Sequence, residues 1–194
     1  MSRRTLTPGD LAGIADFFPQ VVDSTEVFDG KVINVRVDTI EVEDGRRITR
    51  ETVEYPGAVV VIALDGGGEV TMVRQYRHSI GHYLLELPAG GLEPGEEPLL
   101  SAQRELREEA GLEAGRWTAL GSFYSSPGFA NEILHVFLAE DLRPGYADTD
   151  EDEDLQVIRY RLSDLYAHPE QLQDAKSLAA LMLLQKTRDA APAQ

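Results

Sequence analysis

Three glutamates stand within the five residues 105–109, and their spacing suits them to metal chemistry. Glu105, Glu108 and Glu109 lie at positions i, i+3 and i+4, and in an α-helix this spacing puts side chains next to one another on one face. Like charges so close repel, and Mg²⁺ or Mn²⁺ prefers carboxylate and carbonyl oxygens as ligands. The spacing therefore predicts a site for divalent cations. The alternative is a solvated surface on which Arg104 and Arg107 pair with these acids.

The segment 96–110 has the pattern of the helix that such a site requires. Apolar residues recur along it at the spacing of one helical stripe, at Leu99, Ala102, Leu106 and Ala110. Gly111 follows, and glycine is the residue that most often ends a helix. We therefore expect a helix over 96–110 that presents the three glutamates together.

Strand-like segments precede this helix. β-Branched and polar residues alternate over 24–55, with turns at Asp29-Gly30 and Asp44-Gly45, which predicts a small antiparallel sheet. The continuous apolar run 58–65 is typical of a strand buried on both faces. Two more strand-like stretches, 69–77 and 83–91, lead into a glycine-rich loop before the helix.

The remaining segments indicate an α/β (α+β) fold. Strand patterns over 116–128, 132–142 and 155–162 follow the helix, and a second helical pattern runs from about 174 to 188 with Leu178, Leu181, Met182 and Gln185 at helical spacing. Such a succession predicts a mixed β-sheet sandwiched between helices. We expect residues 1–55 to be an N-terminal segment with the small sheet and residues 56–194 to be one domain that contains the helix with the three glutamates.

Composition restricts the partners and the compartment. The chain has 34 acidic and 18 basic residues and a net charge of -16, so we expect no nucleic-acid partner. A small phosphorylated ligand would need divalent cations to bridge it to these acids. The chain has no cysteine, which excludes disulfides and cysteine nucleophiles and is compatible with the cytoplasm that we expect. No signal peptide is expected, and no membrane span, because no run of 18 apolar residues occurs.

The motif around the glutamates is more specific than their spacing. Residues 90–112 match every defined position of Gly-x5-Glu-x7-Arg-Glu-U-x-Glu-Glu-x-Gly-U, where U is a bulky aliphatic residue. The matching residues are Gly90, Glu96, Arg104, Glu105, Leu106, Glu108, Glu109, Gly111 and Leu112. In this motif the chain resembles the Nudix hydrolases, which implies the Nudix fold and hydrolysis of a pyrophosphate.

The resemblance assigns the metal ligands. Glu105 and Glu109 are expected to be the principal metal ligands, and Glu108 is expected to contribute directly or through water. The carbonyl of Ala89 is expected to complete the coordination shell of one ion. It implies two or three Mg²⁺ ions per site, with Mn²⁺ as the alternative.

Four further motif residues are expected to support the site. Gly90 would let the backbone approach the metal closely, and Gly111 would end the helix. Glu96 and Arg104 are expected to pair and to tie the loop to the helix.

A general base for the attacking water is expected in the acidic stretch after the motif. By resemblance the candidates are Glu151 and Glu153, with Glu151 slightly favoured by its distance from the next strand. A solvated acidic loop without catalytic function is the alternative. His135 lies within a strand pattern, where we expect a packed side chain rather than a base.

Markers outside the motif resemble the ADP-ribose pyrophosphatases within this family. Pro127 follows Gly111 by 16 residues, and the stretches 74–77 and 86–90 add two further matches. The resemblance assigns substrate contacts to Arg50, Arg77, Glu86, Pro127, Gly128 and Glu132. The alternative for the charged residues among them is a surface ion pair.

The implied function is Mg²⁺-dependent hydrolysis of a nucleoside diphosphate sugar, first of all ADP-ribose to AMP and ribose 5-phosphate. Alternatives are another sugar nucleotide of the GDP-mannose type and a nucleotide-sensing module that does not hydrolyse. Cleansing of oxidised nucleoside triphosphates fits the motif but not the position of Pro127. The subfamily also implies a homodimer in which the N-terminal strands help to build the partner's site.

Overall fold

Three antiparallel strands form the sheet of the N-terminal unit, as the alternating pattern predicts. In the computed structural model, which describes residues 17–145 and 155–190, the chain divides into two compact units, Met1–Glu54 and Tyr55–Gln194. The strands of the first are β1 (Gln20–Asp29), β2 (Asn34–Glu41) and β3 (Arg47–Glu54), in the order β1-β2-β3. Gly45, at φ 80°, stands in the turn between β2 and β3 that the Asp-Gly pair predicts.

A seven-stranded mixed sheet forms the centre of the second unit. Its strands are β4 (Ala58–Leu64), β5 (Glu69–Arg77), β6 (His82–Glu86), β7 (Ala89–Gly91), β8 (Leu112–Tyr124), β9 (Ile133–Pro144) and β10 (Leu155–Arg161). The main order is β10-β5-β4-β9-β8, with β6 paired to β5 and β7 paired to β4. The pairing of β4 with β9 is parallel, and the other pairings are antiparallel.

Strand β4 is buried along its whole length, as its unbroken apolar sequence predicts. Its side chains alternate between two cores. Val60 packs in the core that contains Leu181, and Val59 packs in the core that contains Leu106. A helix therefore covers each face of the sheet, which confirms the predicted sandwich.

The helix that carries the motif is α1 (Pro98–Ala110). It begins two residues later than predicted because Glu97 is extended and Pro98 occupies its first turn, where proline is tolerated. Gly111 ends it at φ 62°, as predicted. One expectation was wrong, since Leu99 is 39% exposed. The residues that α1 buries are Ser101, Ala102, Glu105, Leu106 and Glu109.

The second predicted helix is α3 (Ala175–Ala190), which confirms the element within two residues of the expected bounds. Its buried face was predicted less well, because Met182 is 71% exposed. The residues that α3 buries are Ser177, Ala180, Leu181 and Leu184. The short helix α2 (Leu162–Ala167) and a 3-10 turn (Pro169–Gln171) had no clear sequence signal. No helix in the described part of the chain is long and apolar enough to cross a membrane.

Candidate active site

A cavity of about 400 Å³ opens in the second unit beside β5, β6, β7 and the start of α3. Six residues that the sequence nominated for the site contribute to its lining, namely Arg77, Glu86, Ala89, Gly90, Glu109 and Glu132. Its volume is within the range of small-molecule sites. The fold therefore gathers candidates from three strands, a helix and a loop into one place.

Two of the three glutamates turn inward on α1. Glu105 and Glu109 are buried, whereas the Glu108 side chain is partly exposed. The backbone N–H of Ala89 donates to Oε2 of Glu109 at 2.9 Å. A Cβ atom on Gly90 would lie 2.0 to 2.2 Å from the carboxylate atoms of Glu105. The glycine-rich strand β7 thus lies directly against the acidic face of the helix, and the carboxylate of Glu105 would have to move to admit a side chain at position 90.

Arg104 ties the loop to the helix, which confirms the predicted pairing with Glu96. Its guanidinium donates to Glu96 Oε1 and Oε2 at 3.2 and 3.1 Å, and to the carbonyl of Gly91 at 3.1 Å. The hydrogen bond from Arg104 lowers the pKa of Glu96 to about 2, although some burial opposes it. The same bond raises the pKa of Arg104. The guanidinium therefore stays charged.

Arg104 also pairs with the glutamates themselves. Its Nη1 lies 2.7 Å from Oε1 of Glu105 and 2.9 Å from Oε2 of Glu108. Among residues 17–145 and 155–190, no three acidic, histidine or cysteine side chains are arranged as a metal-binding group. The chemistry of the donors still fits a hard divalent cation, because carboxylate oxygens of Glu105 and Glu109 lie against a backbone that carries no side chain at Gly90.

Arg77 and Glu86 form a bidentate ion pair in the wall of the cavity. Arg77 Nε and Nη2 donate to the two carboxylate oxygens of Glu86 at 2.8 and 2.7 Å. Lys176 donates to the same carboxylate. Burial raises the pKa of Glu86, but the hydrogen bond from Arg77 and the charge of Lys176 outweigh it, so that its pKa is lowered. Glu86 therefore orients Arg77 in addition to lining the cavity.

Sequence reasoning missed four polar residues that line the cavity: Tyr55, Gln75, Asp174 and Lys176. Burial raises the pKa of Tyr55, as do the charges of Glu132 and Glu105. Gln75 lies within the stretch 74–77 that resembles the subfamily, but no local pattern marks Tyr55, Asp174 or Lys176. Asp174 and Lys176 lie more than sixty positions after the motif helix, and only the packing of α3 brings them to the cavity.

Two nominated substrate residues of the second unit, Pro127 and Gly128, are not among the described residues that line the cavity. Pro127 and Gly128 are exposed in a turn that the bond from Ala130 N to Ser126 O closes at 2.9 Å. Arg50 is an exposed residue of β3 in the N-terminal unit and donates to the carbonyl of Thr49. Their assignment to substrate stays a prediction.

The two candidates for the general base, Glu151 and Glu153, lie outside the described residues. His135 is half-buried in β9, which agrees with the packed position expected for it.

Comparison with known proteins identifies the class that this fold and motif define. The NUDIX domain model matches residues 54–181. The chain is 42% identical over 170 residues to an ADP-ribose pyrophosphatase of Bacillus subtilis, which covers 86% of this chain and 92% of that protein. It is 38% identical over 173 residues to a methanol dehydrogenase activator of Bacillus methanolicus, with 87% and 94% covered. The chain belongs to the Nudix family.

A solved structure agrees with the fold. The crystal structure of an ADP compounds hydrolase aligns with a TM-score of 0.79 and 24% identity, over 91% of this chain and 97% of that one. The Nudix sandwich and its mixed sheet are therefore shown by sequence and by structure. Members of this family generally use divalent metal ions.

Proposed function

We propose that this Nudix hydrolase cleaves the pyrophosphate bond of ADP-ribose and releases AMP and ribose 5-phosphate. The observation that carries the proposal is one cavity lined both by Glu109 of the motif and by the Arg77 guanidinium. Carboxylates supply ligands for cations, and a guanidinium matches the oxygens of a phosphate. The similarity to the ADP-ribose pyrophosphatase of Bacillus subtilis supports ADP-ribose as the sugar nucleotide.

The proposed cofactor is Mg²⁺, with Mn²⁺ as the alternative and two or three ions per site. Glu105 and Glu109 would hold them, with Glu108 and the carbonyl of Ala89 as further ligands. Bound ions would polarise the phosphorus and lower the pKa of the attacking water. The protein contributes a glycine at position 90, which lets the backbone of β7 lie directly against the carboxylate of Glu105.

The proposed substrate contacts come from the residues around the cavity. Arg77, oriented by Glu86, would bind an oxygen of the diphosphate, and Glu132 would accept a hydrogen bond from a sugar hydroxyl. Arg50 and the turn at 127–128 are assigned to the substrate by family resemblance. Glu151 or Glu153 would take the proton of the attacking water.

The experiment is a substrate panel with ADP-ribose, GDP-mannose, diadenosine polyphosphate and deoxynucleoside triphosphates, with and without Mg²⁺. Phosphate release after coupling to a phosphatase measures turnover, and chromatography identifies AMP. Metal-dependent preference for ADP-ribose is expected. Turnover of GDP-mannose alone would mean that GDP-mannose and not ADP-ribose is the substrate. Turnover of none of these compounds would favour a nucleotide-sensing module.

The proposed assembly is a homodimer. Its support is the apolar surface on β1, where Val21, Val27 and Phe28 are exposed in a single chain. Sedimentation equilibrium should give twice the mass of one chain, and a monomer at micromolar concentration would contradict this assignment.

A further inference from the structure

A second cation lies beside Arg77 in the wall of the cavity. Lys176 is the second residue of α3 and lines the cavity. Its ammonium donates to Glu86 and, at 2.9 Å, to Oδ2 of Asp174. An ammonium has three N–H donors. These two carboxylates use two of them, which leaves one for a ligand in the cavity.

The side chains of Glu86, Lys176 and Arg77 differ in how far they are exposed. The Glu86 side chain is 1% exposed, whereas those of Lys176 and Arg77 are 16% and 38% exposed. The carboxylate is thus the most buried of the three groups, and the two cations that it binds both line the cavity.

Hydrogen bonds at the start of α3 fix the position of Lys176. Its partner Asp174 accepts from the backbone N–H and the hydroxyl of Ser177 at 3.0 and 2.6 Å. The Ser177 hydroxyl oxygen accepts in turn from the backbone N–H of Leu87 at 2.8 Å. The ammonium is therefore held by Glu86 at the end of β6 and by Asp174, which Ser177 of α3 fixes in place, so that little ordering is needed when a ligand binds.

We propose that Lys176 is a substrate-binding residue that forms, with Arg77, a two-cation clamp for the oxygens of the diphosphate. Arg77 offers a planar guanidinium and Lys176 a compact ammonium, so that the two cations can take oxygens on different phosphates. This inference rests on the proposed function, because it assumes that a diphosphate enters the cavity. Lys176 lies outside the Nudix motif and belongs to the C-terminal helix.

Calorimetric titration with inorganic pyrophosphate and Mg²⁺ tests the clamp without requiring turnover. Lys176→Gln should weaken binding by at least about tenfold, the effect of losing one charge-assisted hydrogen bond. The matched control is Lys186→Gln on the exposed face of the same helix, which should bind like the wild type. Equal affinity of K176Q and the wild type, or no binding of pyrophosphate by the wild type, would overturn the proposal.

A second measurement uses only the wild-type protein, because K176Q leaves Glu86 with one cation fewer and can fail to fold. The chain has three lysines, Lys31, Lys176 and Lys186, whose acylation by an amine reagent is read by mass spectrometry. Pyrophosphate with Mg²⁺ should slow acylation of Lys176 at least about threefold and leave the other two unchanged. An unchanged rate at Lys176 would refute the clamp.

These outcomes are separable from those of the proposed function. If Lys176 is protected by pyrophosphate while ADP-ribose is not hydrolysed, the substrate assignment fails and the clamp stands. If ADP-ribose is hydrolysed while K176Q binds pyrophosphate normally and has an unchanged KM, the clamp fails and the function stands.

Discussion

At the scale of single residues, Gly90 lies so close to the carboxylate of Glu105 that a Cβ atom would collide with it. Gly90→Ala would place a methyl group 2.0 to 2.2 Å from that carboxylate. The carboxylate is the end of a flexible side chain and can move, so stability should fall by less than about 1 kcal/mol while turnover falls at least about tenfold. Steady-state kinetics and urea unfolding measure the two effects.

The control for this substitution is Gly66→Ala, because a Cβ atom there has no neighbour within 4 Å. Its turnover should equal that of the wild type. Normal turnover in G90A would mean that the position of the Glu105 carboxylate does not matter for the reaction.

Glu109 is the residue whose neutralisation should separate activity from stability. In the wild type the backbone N–H of Ala89 donates to Oε2 of Glu109 at 2.9 Å, and the amide oxygen of Glu109→Gln can accept the same bond while the negative charge is removed. Because the substitution removes a metal ligand, kcat should fall at least about 100-fold with little change in Tm. Glu113→Gln is the control and should keep full turnover, because the Glu113 side chain is exposed and pairs with Arg143. Unchanged kcat in E109Q would refute the metal assignment.

Glu96 should make stability depend on pH through its bond to Arg104. Its pKa is lowered from the usual 4.5 to about 2 in the folded protein. When the pKa of a carboxyl group is lower in the folded state than in the unfolded state, the group stabilises the fold fully at a pH above its unfolded-state pKa. This stabilisation is lost as the pH falls toward the folded-state pKa. Glu96→Gln should therefore be less stable than the wild type at neutral pH, and the difference should shrink below about pH 4.5.

Urea unfolding from about pH 7 to about pH 3 measures this difference. Glu97→Gln, which alters the exposed neighbouring residue, should follow the wild type throughout. A difference between E96Q and the wild type that is constant with pH would show that the ion pair with Arg104 is not its source.

At the scale of elements, two helices position the site in different ways. Helix α1 supplies the acids, and Arg104 fixes the loop before it through the carbonyl of Gly91. Helix α3 supplies no motif residue, yet its first turn bonds to Leu87, two residues before Ala89. The strand-loop-helix motif is thus supported from the other face of the sheet by the C-terminal helix.

Ser177→Ala tests this support from α3. Ser177 is fully buried, and its hydroxyl bonds both to Leu87 N and to Asp174. Removing it leaves the buried N–H without its acceptor, which should lower the free energy of unfolding by about 1 to 3 kcal/mol. Ser163→Ala removes an exposed hydroxyl and should change it by less than about 0.5 kcal/mol. Equal stability of the two variants in urea would contradict the role of this contact.

At the scale of the whole molecule, the core belongs to the second unit. Every buried hydrophobic residue in the described part of the chain lies between Ala58 and Leu184. In the three-stranded sheet the one buried residue is Asp38, which accepts hydrogen bonds from Ser24 and Arg36. A sheet of this size without a buried apolar face is not stable alone.

A pair of fragments tests this distribution. The fragment 1–54 should show the circular dichroism of an unfolded chain, whereas the fragment 55–194 should melt cooperatively because it holds the two cores. A cooperative transition in fragment 1–54 would show that its strands stabilise one another without a buried core.

The sequence by itself determined the elements and the class of chemistry. Strand β4, helix α1 and helix α3 were predicted because periodicity and end signals are local properties of the chain. The motif was visible for the same reason, since residues 90–112 form one continuous strand-loop-helix segment whose spacing sets the positions of its side chains.

Tertiary structure alone decided which faces are buried and which distant residues reach the cavity. Helical spacing did not reveal that Leu99 and Met182 are exposed, because burial depends on where each helix meets the sheet. Tyr55 and Lys176 belong to no motif. They reach the cavity only because the residues just before β4 and the start of α3 pack beside β6 and β7. Contacts between residues far apart in sequence leave no periodic signal, so only the folded chain shows that Lys176 lies in the cavity beside Arg77.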